Sequence, residues 1–591
     1  MIVSVRELSP AVDLSSLEGH GGTPEEEEPD PARLKKAGTN LVHRSFFFPT
    51  DPEQPDWKPF SLKSYYIAML TVVSLVLAGV QEYLYQRSHR LEKEGRGLVN
   101  FNDVDEISTL LFFCWKYLPT MVMVAYGVLW QITDFEVKRL EPYYQLSQPT
   151  GSTAAQSLNL DYATLWSYTV PIKAFKYKHW AVFVSSVASI LATTAAPSLQ
   201  SPSIDSVENP KCNDDPGTNC PDDFRYFIRI KAVWSRLVTV CLILVALFSI
   251  VLLIQLRRKS GLLSDPHGVA GIAAMATKSH ILRDFDGMDE ALHDDIHEKL
   301  RHRRYILYKS TIWQGEYTKN ETSIRTDKPL KPPNPNPILL RPPFLMAFMI
   351  SMAVFLPFIP AIAFTNLNII ARKLPWLPIL LATSIKQLWT TLEFDVKLLH
   401  PFRTLATGPA PASQTLTLDY RGTPYGLLPA QALLNGHSLV ALVGTGSILA
   451  DILTITLASL ALKAGTESPR SFIASSVLSI VIVAVLIAVA FLVFLRHRTP
   501  FMPRQPATIA SILAFVHHSR MLDDFVGTER YSNARMQELL AAKNKRYALG
   551  WFKGRDSRPH CAIDEEPMLS RYVHGVSYLQ AQAPWEENVG F

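Results

Sequence analysis

Cysteine is scarce. Five in 591 residues exclude a disulfide-dense scaffold or a zinc array. Charge is scarce as well, at 19% of residues against roughly 25% in a soluble globular chain. Neither sign predominates. A formal net charge of +5 excludes a dedicated nucleic-acid binder on electrostatic grounds. No P-loop, no Gly-x-Gly-x-x-Gly after a strand and no Gly-x-Ser-x-Gly elbow is present, so neither a phosphate cradle nor a nucleophile turn announces an enzyme. Residues 1–56 lack a helix-length apolar run and carry Glu25 to Glu28 among several prolines. Such a segment buries too little apolar surface to offset chain entropy and is expected to be a disordered arm. It also lacks the basic start and apolar core of a signal peptide, which leaves the first span as its own targeting signal.

What the chain does have is apolar residues, 48% of the total, gathered into long runs. A helix crossing about 30 Å of hydrocarbon needs roughly 20 of them. Eight spans are expected, at 65–85, 107–132, 179–197, 234–256, 344–364, 374–392, 437–462 and 472–495. Pro119 is expected to kink span 2, and Pro357 and Pro360 fall near the far end of span 5. Lys and Arg near the span ends are more numerous on the side that holds the N-terminus. By the positive-inside rule both termini are cytosolic and residues 198–226 lie outside.

The chain is written twice. Asp134-Phe135-Glu136-Val137-Lys138 returns 259 residues later as Glu393-Phe394-Asp395-Val396-Lys397. Leu158-Asn159-Leu160-Asp161-Tyr162 returns as Leu416-Thr417-Leu418-Asp419-Tyr420, and Ser189-Ile190-Leu191-Ala192 as Ser447-Ile448-Leu449-Ala450. Beyond span 4 the offset is 240, where Leu282-Arg283-Asp284-Phe285 answers Leu522-Asp523-Asp524-Phe525. The steps in offset place extra residues of the first copy in the loops 1–2 and 3–4, on the non-cytosolic side. Four spans per copy is an even number, so both copies enter the membrane in one direction, as a parallel repeat. The fold class expected is an all-α membrane protein of about eight transmembrane helices in two parallel four-helix repeats, with cytosolic helical elements. The boundaries are a disordered arm 1–56, a first repeat 57–310, a Pro-rich linker 311–343, a second repeat 344–555 and a C-terminal tail 556–591. The repeated cytosolic motifs are read as helix extensions that stop at Pro142 and Pro401.

Trp57-Lys58-Pro59, the segment 134–143 and their partners Arg341-Pro342-Pro343 and 393–402 carry a family resemblance. In these features the chain resembles a fungal family of multi-pass membrane proteins of unknown function that includes the Spray proteins. The resemblance spans most of 57–555. Leu340 or Arg341 replaces the tryptophan in the second copy. The resemblance implies an integral membrane protein of a fungus and supplies no catalytic residues.

Candidate sites are few. Asp451 lies about 21 Å and Lys386 roughly 10 Å into their spans at 1.5 Å per residue. A charge in hydrocarbon is costly enough to make each a functional candidate. A snorkelling lysine and a hydrogen-bonded structural carboxyl are the plainer readings. Their first-copy counterparts are Gly127 and Thr193, so a site there exists in one half only. Ser447, Thr454 and Ala458 share a helical stripe with Asp451 and turn it towards the bundle interior. Cys212 and Cys220, separated by turn residues in an outside loop, are a disulfide candidate. Asp214, Asp215, Asp222 and Asp223 lack the spacing of a calcium loop. His293 and His297 have zinc-helix spacing, but Asp294 stands where a glutamate base belongs, and the second copy has Asn533 and Gln537. They are read as part of an exposed amphipathic helix, and no metal or cofactor is expected. Gly444 and Gly446 are read as close-packing positions.

The function expected is a non-enzymatic membrane organiser or regulator in the plasma membrane or an endomembrane. Its partners are the lipid bilayer and cytosolic proteins, not nucleic acid. The alternative is a transporter or channel with Asp451 at an intramembrane site.

Overall fold

The computed structural model describes residues 54–102, 107–209, 224–315, 334–365, 376–423, 426–460 and 469–576, with a few shorter pieces. Cys212 and Cys220 fall outside the described residues. So does nearly all of the arm, apart from 54–56 and a short antiparallel pairing of Arg6–Glu7 with Phe46–Phe47.

The first copy runs α1 (Ser64–Lys93), α2 (Thr109–Lys116), α3 (Leu118–Leu146), α4 (Val170–Tyr177), α5 (Trp180–Ile190, continued by a π-helical turn and Ala196–Gln200), α6 (Ala232–Gln255), α7 (Gly268–Ala276) and α8 (His293–Leu300). The second runs α9 (Pro342–Phe364), α10 (Leu377–Thr407), α11 (Leu428–Leu434), α12 (Ser438–Leu460), α13 (Pro469–His497), α14 (Ile509–Val516) and α15 (Asn533–Ala542). Local sequence explains the matched starts. α3 and α10 open on Leu-Pro, where proline's missing N–H costs nothing. α4 and α11 also carry proline in the first turn, and both end on a left-handed residue, Lys178 and Gly436. Thr508 and Ser532 cap α14 and α15 by accepting from the backbone N–H three residues on.

The same wiring recurs in each copy. α1 packs on α6 as α9 packs on α13; α3 packs on α5 as α10 packs on α12. The helices divide by environment. The most apolar windows of α1, α6, α9 and α13 are 28, 39, 28 and 39% buried, whereas those of the α5 and α12 spans are 67 and 61% buried. Exposed Val, Leu and Ile crowd the first group, as a lipid-facing surface requires. The second group, with α3 and α10, forms the seam between the halves.

Among the described residues, six helices are long and apolar enough to cross a membrane, or seven if α2 and α3, bent by 50°, count as one broken span. The expected span on α10 is not among them, because Lys386, Gln387, Glu393, Asp395 and Lys397 dilute its hydropathy; four of these five are buried against protein. Span 2 is bent by 50°, in keeping with the kink expected at Pro119. The break falls at Tyr117, and Pro119 sits in the first turn of α3. Pro142 and Pro401, by contrast, do not stop their helices. Both lie inside, and α3 and α10 continue to Leu146 and Thr407. Both prolines are buried, so packing holds the last turn despite the lost hydrogen bond.

The all-α expectation also needs correction. Asn100–Phe101, Ile204–Glu208 and Tyr226–Ile230 form a three-stranded sheet from the two loops in which the first copy has extra residues. Beyond spans 4 and 8, each copy builds a small antiparallel sheet. Arg304–Tyr308 pairs with Ser152–Thr153 and Thr311–Gln314. Arg546–Lys553 pairs with Ala410–Pro411, Pro559–Glu565 and Ser570–Arg571. Strand residues 311–314 thus fall in the expected linker, and strand residues 559–565 and 570–571 in the expected tail. Short strands with mixed polarity, paired to segments about 150 residues away, leave no periodicity to read.

The copies interlock. Ala270 N–H donates to Leu416 O at 3.0 Å, and Ala510 N–H donates to Leu158 O at 3.0 Å. These bonds exchange equivalents, since 270 corresponds to 510 and 158 to 416. Each copy's α7 or α14 thus docks on the other copy's loop. Phe135 and Phe394, themselves equivalent, meet with ring centroids 5.8 Å apart. Reciprocal contacts, with one equivalent pair touching itself, are the signature of a two-fold relation.

Candidate functional site

The seam carries the two charges singled out within the expected spans. α10 supplies Lys386, 1% exposed, and α12 supplies Asp451, 8% exposed; the ammonium and carboxylate form a direct ion pair. The lysine stem reaches inward across the depth gap read from the sequence. Asp451 faces the interior, on the stripe shared with Ser447, Thr454 and Ala458, all buried. One residue along, Gln387 Nε2 donates to Thr193 Oγ1 of the other copy at 2.9 Å. Thr193 is the first-copy counterpart of Asp451. The counterpart of Lys386, Gly127, lies against that same threonine: a Cβ there would stand 3.1 Å from Thr193 Cα. One backbone arrangement is thus filled by an ion pair in one copy and by glycine against threonine in the other. Sequence reasoning passed over Gln387. Its position beside a buried lysine was the available signal.

The repeated motif sits one to two turns further along the same helices. Asp134 accepts from Ser185 Oγ at 2.9 Å and Ser186 Oγ at 3.0 Å and pairs with Lys138. Glu393 accepts from Ser447 and pairs with Lys397. In both copies this carboxylate ties α3 to α5 or α10 to α12. The third motif position diverges. Glu136 pairs with Arg139 at 2.8 Å, and Arg139 reaches Asp265 at 2.7 Å. Its equivalent Asp395 is fully buried with no hydrogen-bond partner among the described residues, where Leu398 replaces the arginine. Burial, with Asp161 nearby, pushes the Asp395 carboxyl well above the usual range and keeps it neutral. Between the copies, Phe135, Phe394, Lys138, Arg139, Arg421 and Asp161 line a small recess open to solvent. Its cations are committed: Arg421 makes a two-pronged bond to Asp419, and Lys138 and Arg139 are paired as above.

His293 and His297 lie on α8, whose buried face is Ile296 and Leu300. No third histidine, cysteine or carboxylate joins them among the described residues.

Two segments of this chain match one family model. Residues 113–204 and 374–462 are each similar to the family described as a protein of unknown function, DUF3433. The two segments are equivalent regions of the two copies, each running from span 2 or 6 through span 3 or 7, so the duplication read from the sequence recurs in the match. No curated protein matches the chain. No solved structure matches it.

Proposed function

We propose that the protein is a non-enzymatic membrane organiser or regulator of the fungal, Spray-like kind. Its two four-span repeats lie side by side about an axis along the membrane normal, with both termini and the interlocked layer in the cytosol. The observation that carries this reading is the reciprocal docking of each copy's α7 or α14 on the other copy's loop. Such a layer makes the paired bundles one rigid platform for cytosolic protein partners. The intramembrane charges satisfy each other within it, as structural groups do.

One observation favours a second reading, transport. The Lys386–Asp451 pair stands at the seam between repeats, where duplicated transporters place their sites. Full-length protein in liposomes under imposed pH and ion gradients separates the two. The organiser reading expects no protein-dependent flux of protons or monovalent ions. It also expects a K386M/D451N double variant to retain cellular function. Flux abolished by the double variant would establish the transporter.

A further inference from the structure

The cytosolic layer holds three histidines that neither the repeat nor the ion-pair network employs. His517 and His518 end α14, and His560 lies on the strand Pro559–Glu565 that passes beneath it. One ring nitrogen from each falls within 4.8 Å of the others. Two are nearly buried, His517 at 4% and His560 at 7% exposure, while His518 is partly open to solvent. Three carboxylates surround them. Asp289 Oδ1 is 2.8 Å from His560 Nδ1 and 3.9 Å from His517 Nε2. Asp556 Oδ1 is 2.8 Å from His560 Nε2, and Asp286 Oδ1 is 3.2 Å from His518 Nε2.

The protonation geometry singles out a ligand set. His517 Nδ1 lies 3.1 Å from Ala514 O, which only accepts, so that nitrogen carries the N–H. The lone pair is then on Nε2, which is buried, has no hydrogen-bond partner among the described residues and points into the cluster. A backbone carbonyl fixing one nitrogen so that the other is free is how metal-binding histidines are oriented. His560 has a carboxylate oxygen at both nitrogens. A neutral imidazole has one N–H and cannot donate to both. The arrangement calls for a cation there, either a second proton or a metal.

The other copy supplies the comparison. The counterparts of His517, His518 and Asp289 are Thr277, Lys278 and Glu529. Lys278 pairs directly with Glu529 across the copies. The flanking contacts are conserved in place: Ser264 Oγ donates to Glu529 O at 3.1 Å, and its counterpart Arg504 donates to Asp289 O at 3.1 Å. So the carboxylate at this station meets a fixed ammonium in one half. In the other half the Asp289 carboxylate meets His517 and His560, with the Arg504 guanidinium held on its backbone carbonyl.

We propose that His517, His518 and His560, with a carboxylate from Asp289 or Asp556, bind one divalent transition-metal ion that staples the two repeats together. Imidazole with carboxylate suits zinc, cobalt, nickel or copper rather than calcium or magnesium. His518, Asp289 and Asp556 are part-exposed and give the ion a way in. Asp289 belongs to the first copy and the histidines to the second, so binding couples the halves. The His-His dipeptide was the only trace of this in the sequence; His560 is 42 residues further on.

The test uses full-length protein in detergent, stripped with EDTA and reloaded with Co(II) and, separately, Zn(II). The expected result is one ion per chain, a visible d–d band for cobalt and a higher unfolding temperature on loading. His518→Gln, at the part-exposed ligand, should stay folded and weaken binding by about 10- to 100-fold or more. His517→Ala with His560→Gln should abolish it, while His293→Asn with His297→Asn should leave it unchanged. Three results would overturn the proposal: no ion above background in the reloaded wild type, an unaltered cobalt spectrum in a folded His518→Gln protein, or loss of binding in the His293/His297 variant. If the wild type takes no cobalt and His560 titrates as an imidazolium by NMR, the cluster holds a proton instead and the proposal fails.

Discussion

The two copies fold alike and are filled differently. At the seam, glycine against threonine in the first copy answers lysine against aspartate in the second. At the motif's third position a paired glutamate answers an unpaired aspartate. In the cytosolic layer a lysine–glutamate pair answers a histidine cluster. Backbone contacts that cross between copies are kept in both directions. Duplication therefore fixed the shape, and each pair of equivalent side chains needed only to satisfy the polar groups at its station. Differences between copies mark where one half has chemistry that the fold does not require.

The largest effect is expected where that chemistry is most buried. Lys386→Ala leaves the Asp451 carboxylate without its cation and should destabilise the protein by about 3–5 kcal/mol. K386M/D451L should recover most of the loss, since well-packed apolar replacements of a buried pair are often neutral. Unfolding in detergent, followed by fluorescence, reads both. A double variant as unstable as the single would show that the pair is more than mutually satisfied charge.

Gly446 comes next. A Cβ there would run into the Trp389 indole, whereas its first-copy counterpart is already Ala188 beside Trp130's helix. Gly446→Ala should cost about 1–3 kcal/mol by overpacking. Ala188→Gly should cost only about 0.5–1 kcal/mol, the backbone term for glycine in a helix. Equal costs would mean the two stations are packed alike.

His400 supplies a pH test. Burial, then His437, Arg403 and Arg496, lowers its pKa from the ordinary value to about 3. The folded state keeps the ring neutral while the unfolded chain takes up a proton below about 6.5. Stability should therefore fall as pH drops from about 6.5 towards 3, by up to about 1.4 kcal/mol per unit for this group. Its counterpart Glu141 is instead paired with Arg258 at 2.9 Å. Melting temperatures of wild type and His400→Gln, compared at several pH values, should diverge only on the acid side. Parallel curves would contradict the assignment. The smallest effect is expected from Asp395→Asn, which replaces a carboxyl already held neutral and should change the melting temperature little.

The bundle was legible because its signals are long. Apolar runs of about 20 residues, and motifs repeated at steady offsets, survive without knowledge of tertiary contacts. Asp451 stood out for the same reason, as a charge inside a run, and Ser447 and Thr454 disclosed its direction. What escaped depends on distant pairing. α10 was read as a span on length, but how deeply its polar residues are buried against protein was not legible. Pro142 and Pro401 looked like stops, yet packing carries both helices past them. The cytosolic sheets join strands far apart in sequence, and the histidine cluster needs Asp289 from the other copy. None of these leaves a local pattern.

The central claim is that the copies lock together about a shared axis, and cross-linking tests it most directly. Phe135→Cys and Phe394→Cys would be placed in a chain whose five native cysteines are replaced, with a protease site inserted within 316–333. Oxidation in membranes followed by cleavage should leave the halves joined on a non-reducing gel and separate on a reducing one. Halves that separate without reductant, or that join only between two chains, would contradict the account.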